Sequence, residues 1–163
     1  MTVRIVTDRT CDLPSELEAE LNVSNIPVYL VFGTNSYRDG VDITTDQFYQ
    51  KLLHETIYPT TSQPTPQDFV DVFNKLSTDT DGIIALHISK KLSGTINSAE
   101  QAIKMVSTDV PIEIIDSESV SMGLGLQVIA AARMAKEGKS KEEISTAIRE
   151  MVPNTKVFIL FES

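Results

Sequence analysis

Short apolar runs alternate along the chain with stretches whose apolar residues recur at helical spacing. Val3-Arg4-Ile5-Val6-Thr7, Ile26-Pro27-Val28-Tyr29-Leu30-Val31-Phe32, Ile83-Ile84-Ala85-Leu86-His87-Ile88 and Ile112-Glu113-Ile114-Ile115-Asp116 read as strands. The third run has no polar alternation, the pattern of a strand covered on both faces. Between the runs, apolar residues at helical spacing predict helices: Leu17 and Leu21 behind Pro14 with Asp12 as cap, Phe48, Leu52 and Leu53 behind Thr44 or Thr45, and Phe69, Val70, Phe73 and Leu76. Three more follow, through Ile96, Ala99, Ala102, Ile103 and Val106, from Met122 through Leu126, Ile129, Ala130 and Met134 to Gly138, and behind Ser140, where Glu143 completes a capping box. Gly33-Thr34-Asn35 predicts a turn with an extended return over residues 36–41. Residues 58–66 hold three prolines and predict a stiff, hydroxyl-rich loop. Residues 156–161 read as a last strand.

Strands alternating with helices imply an α/β domain: a parallel sheet with helices on both faces, three layers in all, joined by right-handed crossovers. Ligands in such sheets bind beyond the carboxyl ends of the strands. Polar loops fall there at residues 8–12, 60–65, 89–95 and 116–121. The segment Ile88-Ser89-Lys90-Lys91-Leu92-Ser93-Gly94-Thr95 opens a helix directly after the most apolar strand, so free helix amides, a positive dipole end and hydroxyls converge on one spot. That spot suits a carboxylate or phosphate. Ser93 as a plain helix cap, with Gly94 relieving crowding, accounts for the same residues without a ligand.

Composition narrows the partners. The 163 residues fit one domain, with 41% hydrophobic and 23% charged residues. A net charge of −9 argues against nucleic acid and anionic membrane surfaces. No run approaches the ~20 apolar residues of a membrane span, and the first residues lead straight into a strand rather than a signal peptide. With Cys11 as the one cysteine, a cytoplasmic protein without an internal disulfide is expected.

Taken together, Thr7-Asp8-Arg9-Thr10-Cys11-Asp12-Leu13, Thr61-Ser62-Gln63-Pro64, Leu92-Ser93-Gly94-Thr95 and Asp116-Ser117 with Gly123-Leu124-Gly125 resemble, in order and spacing, the signature segments of the DegV family. The resemblance implies a bacterial fatty-acid-binding protein, not an enzyme, that presents its acyl chain to a fatty acid kinase subunit, with no cofactor and no metal. It implies a carboxylate held by Thr61, Ser62 and Ser93 beside Gly94 and Thr95, on loops supported by Asp8, Asp116 and Ser117. Neutral hydroxyls and amides hold a carboxylate without a buried counter-charge. The resemblance also implies that residues 1–163 correspond to the family's N-terminal domain, the second domain being absent from this chain. Weak lipid retention and self-association through an open strand at residues 156–161 are then expected. Arg9 stands where the family usually carries a small hydroxyl residue, and it is expected to point outward.

Other chemistries fit the residues less well. Asp8 and Asp12 holding Mg²⁺ would make a phosphate-binding α/β enzyme, but no Gly-x-x-x-x-Gly-Lys loop accompanies them. Gly123-Leu124-Gly125 lacks the third glycine of a dinucleotide site and is explained by close helix packing. Cys11 with His54 or His87 would be a thiol nucleophile and base; a solvated His54 and a hydrogen-bonded His87 are the plainer readings.

Overall fold

The computed structural model describes residues 2–160. Its first strand, β1 (Val3–Asp8), runs into a 3-10 turn over Arg9–Cys11, and α1 (Ser15–Leu21) returns the chain to β2 (Val23–Ile26). A smaller unit follows, formed by β3 (Tyr29–Phe32), β4 (Asn35–Arg38), α2 (Thr45–His54) and β5 (Thr60–Ser62). Alternation then resumes with α3 (Pro66–Leu76), β6 (Gly82–His87), α4 (Thr95–Ile103), β7 (Ile112–Asp116), α5 (Met122–Lys136) and α6 (Lys141–Met151).

The larger sheet has four parallel strands in the order β2-β1-β6-β7. On one face Ile5, Ile84, Leu86 and Ile115 meet Leu124, Val128 and Ala131 of α5 and Ile144 and Ile148 of α6. On the other, Val6, Ile83 and Ala85 meet Phe69 and Phe73 of α3 and Ala99 and Ala102 of α4. Ile83 and Ile84 are neighbours in sequence yet enter opposite cores, which is why their run shows no polar alternation. The three-layer α/β architecture expected from the sequence is the one observed.

Three local expectations are corrected. The run 26–32 is not one strand: β2 ends at Ile26 in the parallel sheet, and β3 begins at Tyr29 in a separate three-stranded antiparallel sheet ordered β4-β3-β5. Pro27 lies at the break, where a missing N–H costs no ladder bond. Residues 60–62 are not loop but β5, paired with β3 so that Leu30 faces Thr61 and Tyr29 faces Ser62. Residues 156–160 form no strand; they follow a 3-10 turn containing Pro153, and Val157 lies against Gly123 instead of a sheet edge. Phe161, the end of that expected strand, lies outside the described residues. The open edge invoked for self-association is therefore absent over residues 156–160.

Helix starts follow side-chain chemistry. Thr44 with Gln47, Thr65 with Asp68 and Ser140 with Glu143 each form a complete capping box. Asp12 does not cap α1, whose N-cap is Pro14; Asp12 adopts a left-handed conformation at φ 54° that turns the chain before the helix. No helix among the described residues is long and apolar enough to cross a membrane.

Gly125 marks a close approach of α5 to backbone at the site end of the sheet. A Cβ there would stand 2.6 Å from the backbone oxygen of Cys11, which cannot swing away. Gly125→Ala should lower stability by about 1–3 kcal/mol. Gly82→Ala, which meets only the flexible Lys141 side chain at 3.3 Å, should cost less. Denaturant unfolding of the two variants checks the ranking, and equal losses would contradict it.

Candidate functional site

The carboxyl ends of β1 and β6, the start of α4 and the strand β5 enclose a pocket of about 340 Å³. Thr61 and Ser62 enter it from β5, Ser93 and Gly94 from the approach to α4, and Thr10 from the turn after β1. Val28, Ile88 and Leu92 supply its apolar wall. Gln63 closes one side: its Nε2 donates to Ser98 Oγ at 3.3 Å, and its amide lies across Gly94. A Cβ on residue 94 would meet Gln63 Oε1 at 2.2 Å, so the glycine lets the Gln63 amide rest where it does.

Ser93 is not the N-cap of α4. Gly94 holds that position without a side-chain cap bond, and Ser93 Oγ accepts from the Thr95 amide at 3.3 Å while sharing a hydrogen bond of 2.9 Å with Thr95 Oγ1. Thr95 is fully buried and does not line the pocket, so it acts on Ser93 from behind. The start of α4 adds the positive end of a helix to this group of hydroxyls. No formal charge lines the pocket.

Asp8, Asp116 and Ser117 lie outside the lining and shape the loops. Asp116 Oδ1 accepts from the Glu118 amide at 2.9 Å and the Lys90 amide at 3.4 Å, tying the β7 loop to the β6 loop. Ser117 is buried; its Oγ donates to the Ser119 carbonyl at 3.2 Å, and its own carbonyl accepts from Gln127 Nε2 at 3.1 Å. Asp8 is fully buried at the heart of the arrangement. Its Oδ1 accepts from the amide of Thr10 at 3.1 Å and from the Thr10 hydroxyl. Its Oδ2 accepts from His87 Nδ1 at 2.9 Å and the Ile88 amide at 3.0 Å.

These contacts bear on the rival chemistries. Four donors occupy the lone-pair directions of Asp8, leaving none for Mg²⁺. Asp12 is engaged elsewhere, accepting from Ser121 Oγ at 2.6 Å. Cys11 is buried, and desolvation pushes its thiol up to about 11, so it stays protonated and is no nucleophile at neutral pH. His87 is committed to Asp8. Arg9 does not point outward as expected: it is half-buried, 3.3 Å from Glu18 and 3.9 Å from Asp39, with its guanidinium over Gly40. Acidic neighbours distant in sequence hold it there.

The pocket thus gathers Thr61, Ser62, Ser93 and Gly94 and excludes Thr95 from its surface. Thr10, Val28 and Gln63 were not among the expected site residues, whereas Ile88 and Leu92 fall within the expected binding segment 88–95 without having been given a role. The hydroxyl of Thr10 beside Asp8 was a usable signal; the place of Val28 depends on the change of sheet at Pro27, which the apolar run conceals.

The family model described as "Uncharacterised protein, DegV family" matches residues 2–163. The chain belongs to the DegV family. A DegV domain-containing protein of Caldanaerobacter subterraneus subsp. tengcongensis is 41% identical over 161 residues, 99% of this chain and 57% of the relative. The solved structure of a Thermus thermophilus DegV family protein, described by its fatty acid binding, superposes with a TM-score of 0.84 at 35% identity, covering 94% of this chain and 54% of that one. A stearic acid-binding protein of Eubacterium ventriosum superposes with a TM-score of 0.84 at 32% identity, covering 90% of this chain and 52% of that one. The chain therefore spans a little over half the length of these proteins.

Burial opposes the charge on Asp8, but the His87 hydrogen bond and charge, with the Thr10 and Ile88 bonds, outweigh it and hold the carboxyl below its ordinary 3.8. As pH falls, the unfolded chain takes up this proton before the folded one. The stability Asp8 contributes is therefore whole above 3.8 and is lost as pH drops through the lower folded value. Asp8→Asn, which turns an N–H toward donors that the carboxylate accepts, should cost about 1–3 kcal/mol at neutral pH. Denaturation across pH should show the gap between wild type and variant closing only below 3.8; a gap independent of pH would contradict this role.

Proposed function

We propose that the chain binds a long-chain fatty acid, with the carboxylate among Thr61, Ser62, Ser93 and Gly94 and the acyl chain leaving along Val28, Ile88 and Leu92. The observation that carries this reading is the pocket itself, which hydroxyl-bearing residues from two separate segments line beside the start of α4. Its support from relatives is that a DegV family protein of similar fold is described by its fatty acid binding and another protein of similar fold as stearic acid-binding. A carboxylate held by neutral donors keeps lone pairs available, as phosphorylation by a fatty acid kinase requires. We assign the chain the part of a cytoplasmic lipid-binding and presenting protein rather than an enzyme, and residues 1–163 the part of an N-terminal domain beside a second one.

Burying each CH₂ is worth ~0.8 kcal/mol, so a long acyl chain supplies most of the affinity and the hydroxyls supply orientation. Ser93→Ala and Thr61→Ala should each weaken fatty acid binding by about 1–3 kcal/mol, the usual loss for a hydrogen bond to a charged group. Mass spectrometry of an organic extract of the purified protein should find a long-chain fatty acid, and calorimetric titration with stearate should give the affinity losses. A nucleotide in place of lipid, or unchanged affinity in both folded variants, would overturn the proposal.

A further inference from the structure

His87 is fully buried, and the pocket lining does not include it. Its Nδ1 stands 2.9 Å from Asp8 Oδ2, its Nε2 has no hydrogen-bond partner, and its ring packs edge-on against Phe69 with centroids 5.1 Å apart. An ionised carboxylate only accepts, so Nδ1 carries the proton. The Asp8 carboxylate that it addresses also holds the Ile88 amide on one oxygen and the Thr10 amide and hydroxyl on the other. Thr10 and Ile88 lie just beyond the ends of different strands, and both stand in the pocket wall.

We propose that His87 is a positioning residue for the ligand pocket: its Nδ1–H fixes the rotation of the Asp8 carboxylate, and the carboxylate sets where Thr10 and Ile88 stand. His87 touches no ligand and acts through Asp8 alone. Without the Nδ1 donor, Oδ2 keeps only the Ile88 amide, and three donors in place of four hold the carboxylate. The wall that Thr10 and Ile88 form then loosens. This inference rests on the fatty acid reading of the pocket for its functional consequence, though not for its geometry.

The rival explanation is that His87 simply fills the core beside Phe69, and two substitutions separate the cases. The side-chain nitrogen of Asn can occupy the place of Nδ1, whereas that of Gln reaches the place of Nε2. Asn also removes more volume, so packing alone ranks His87→Asn below His87→Gln. Positioning ranks them the other way. Titration with stearate should place His87→Asn within about threefold of wild type and His87→Gln weaker by about tenfold or more, because binding must then re-order the wall that the His87–Asp8 bond had held. In the ligand-free protein, amide hydrogen exchange at Thr10 and Ile88 should quicken in His87→Gln and stay slow in His87→Asn. Stearate affinity in His87→Gln equal to wild type, or lower in His87→Asn than in His87→Gln, would overturn the proposal.

The two readings fail separately. A wild-type chain that takes no stearate sinks the fatty acid reading, and the exchange ranking then decides the positioning role by itself. Where neither variant folds, nitrogen NMR of the wild-type ring decides: a protonated Nδ1 is expected, and an unprotonated Nδ1 overturns the role.

Discussion

The carboxylate of Asp8 is the contact on which the site end of this fold depends. It is buried at the end of β1 beside the end of β6, and a charge in that position is tolerated only when hydrogen bonds replace the water it has lost. The chain supplies those bonds from three places: the turn after β1, the His87 ring and the first amide beyond β6. Each bond satisfies the charge and also fixes a piece of backbone. Two neighbouring strands of a parallel sheet are thereby locked at the end where ligands approach, and Thr10 and Ile88 inherit their positions in the pocket wall from that lock.

The pocket forms where two architectures meet. The parallel sheet contributes Thr10, Ile88 and the approach to α4, while the small antiparallel sheet contributes Thr61 and Ser62 through β5. That small sheet has a slight core of its own, with Leu30, Phe32 and Ile43 buried and Tyr37 and Phe48 packed against them. Polar contacts tie it to the larger body: Tyr29 Oη donates to Asp68 of α3 at 3.0 Å, and Gln63 donates to Ser98 of α4. Gln63 also lies across Gly94, so the strand β5 and the start of α4 meet at that contact as well as through the Gln63–Ser98 hydrogen bond. A side chain at residue 94 would displace the Gln63 amide before it altered any hydroxyl.

What was legible in the sequence tracks how local its cause is. The strand 83–88 and the helices through Phe69 and behind Ser140 announce themselves because the apolar period, and at Ser140 a capping box, lie within a few residues. The grouping of the polar loops at one end of the sheet follows from the alternation of elements, which needs no knowledge of contacts. The passage from β2 to β3 was hidden because the apolar run continues across a change of sheet, with Pro27 the one mark of the break. β5 was hidden because exposed hydroxyls and prolines look like loop until the pairing of Thr61 with Leu30 is seen. Arg9 and the Asp8–His87 pair depend on partners brought together by the fold: Arg9 meets Asp39, and Asp8 meets a histidine 79 residues away.

The central claim is that a fatty acid carboxylate sits between β5 and the start of α4, and residue-resolved NMR tests it most directly. Isotope-labelled protein titrated with stearate should show its largest amide shifts at Thr61, Ser62, Ser93 and Gly94, the residues whose hydroxyls and amides surround the pocket. Saturable shifts confined to the separate cleft lined by Arg9, Asp12 and Asp39, with those four residues unmoved, would contradict the account.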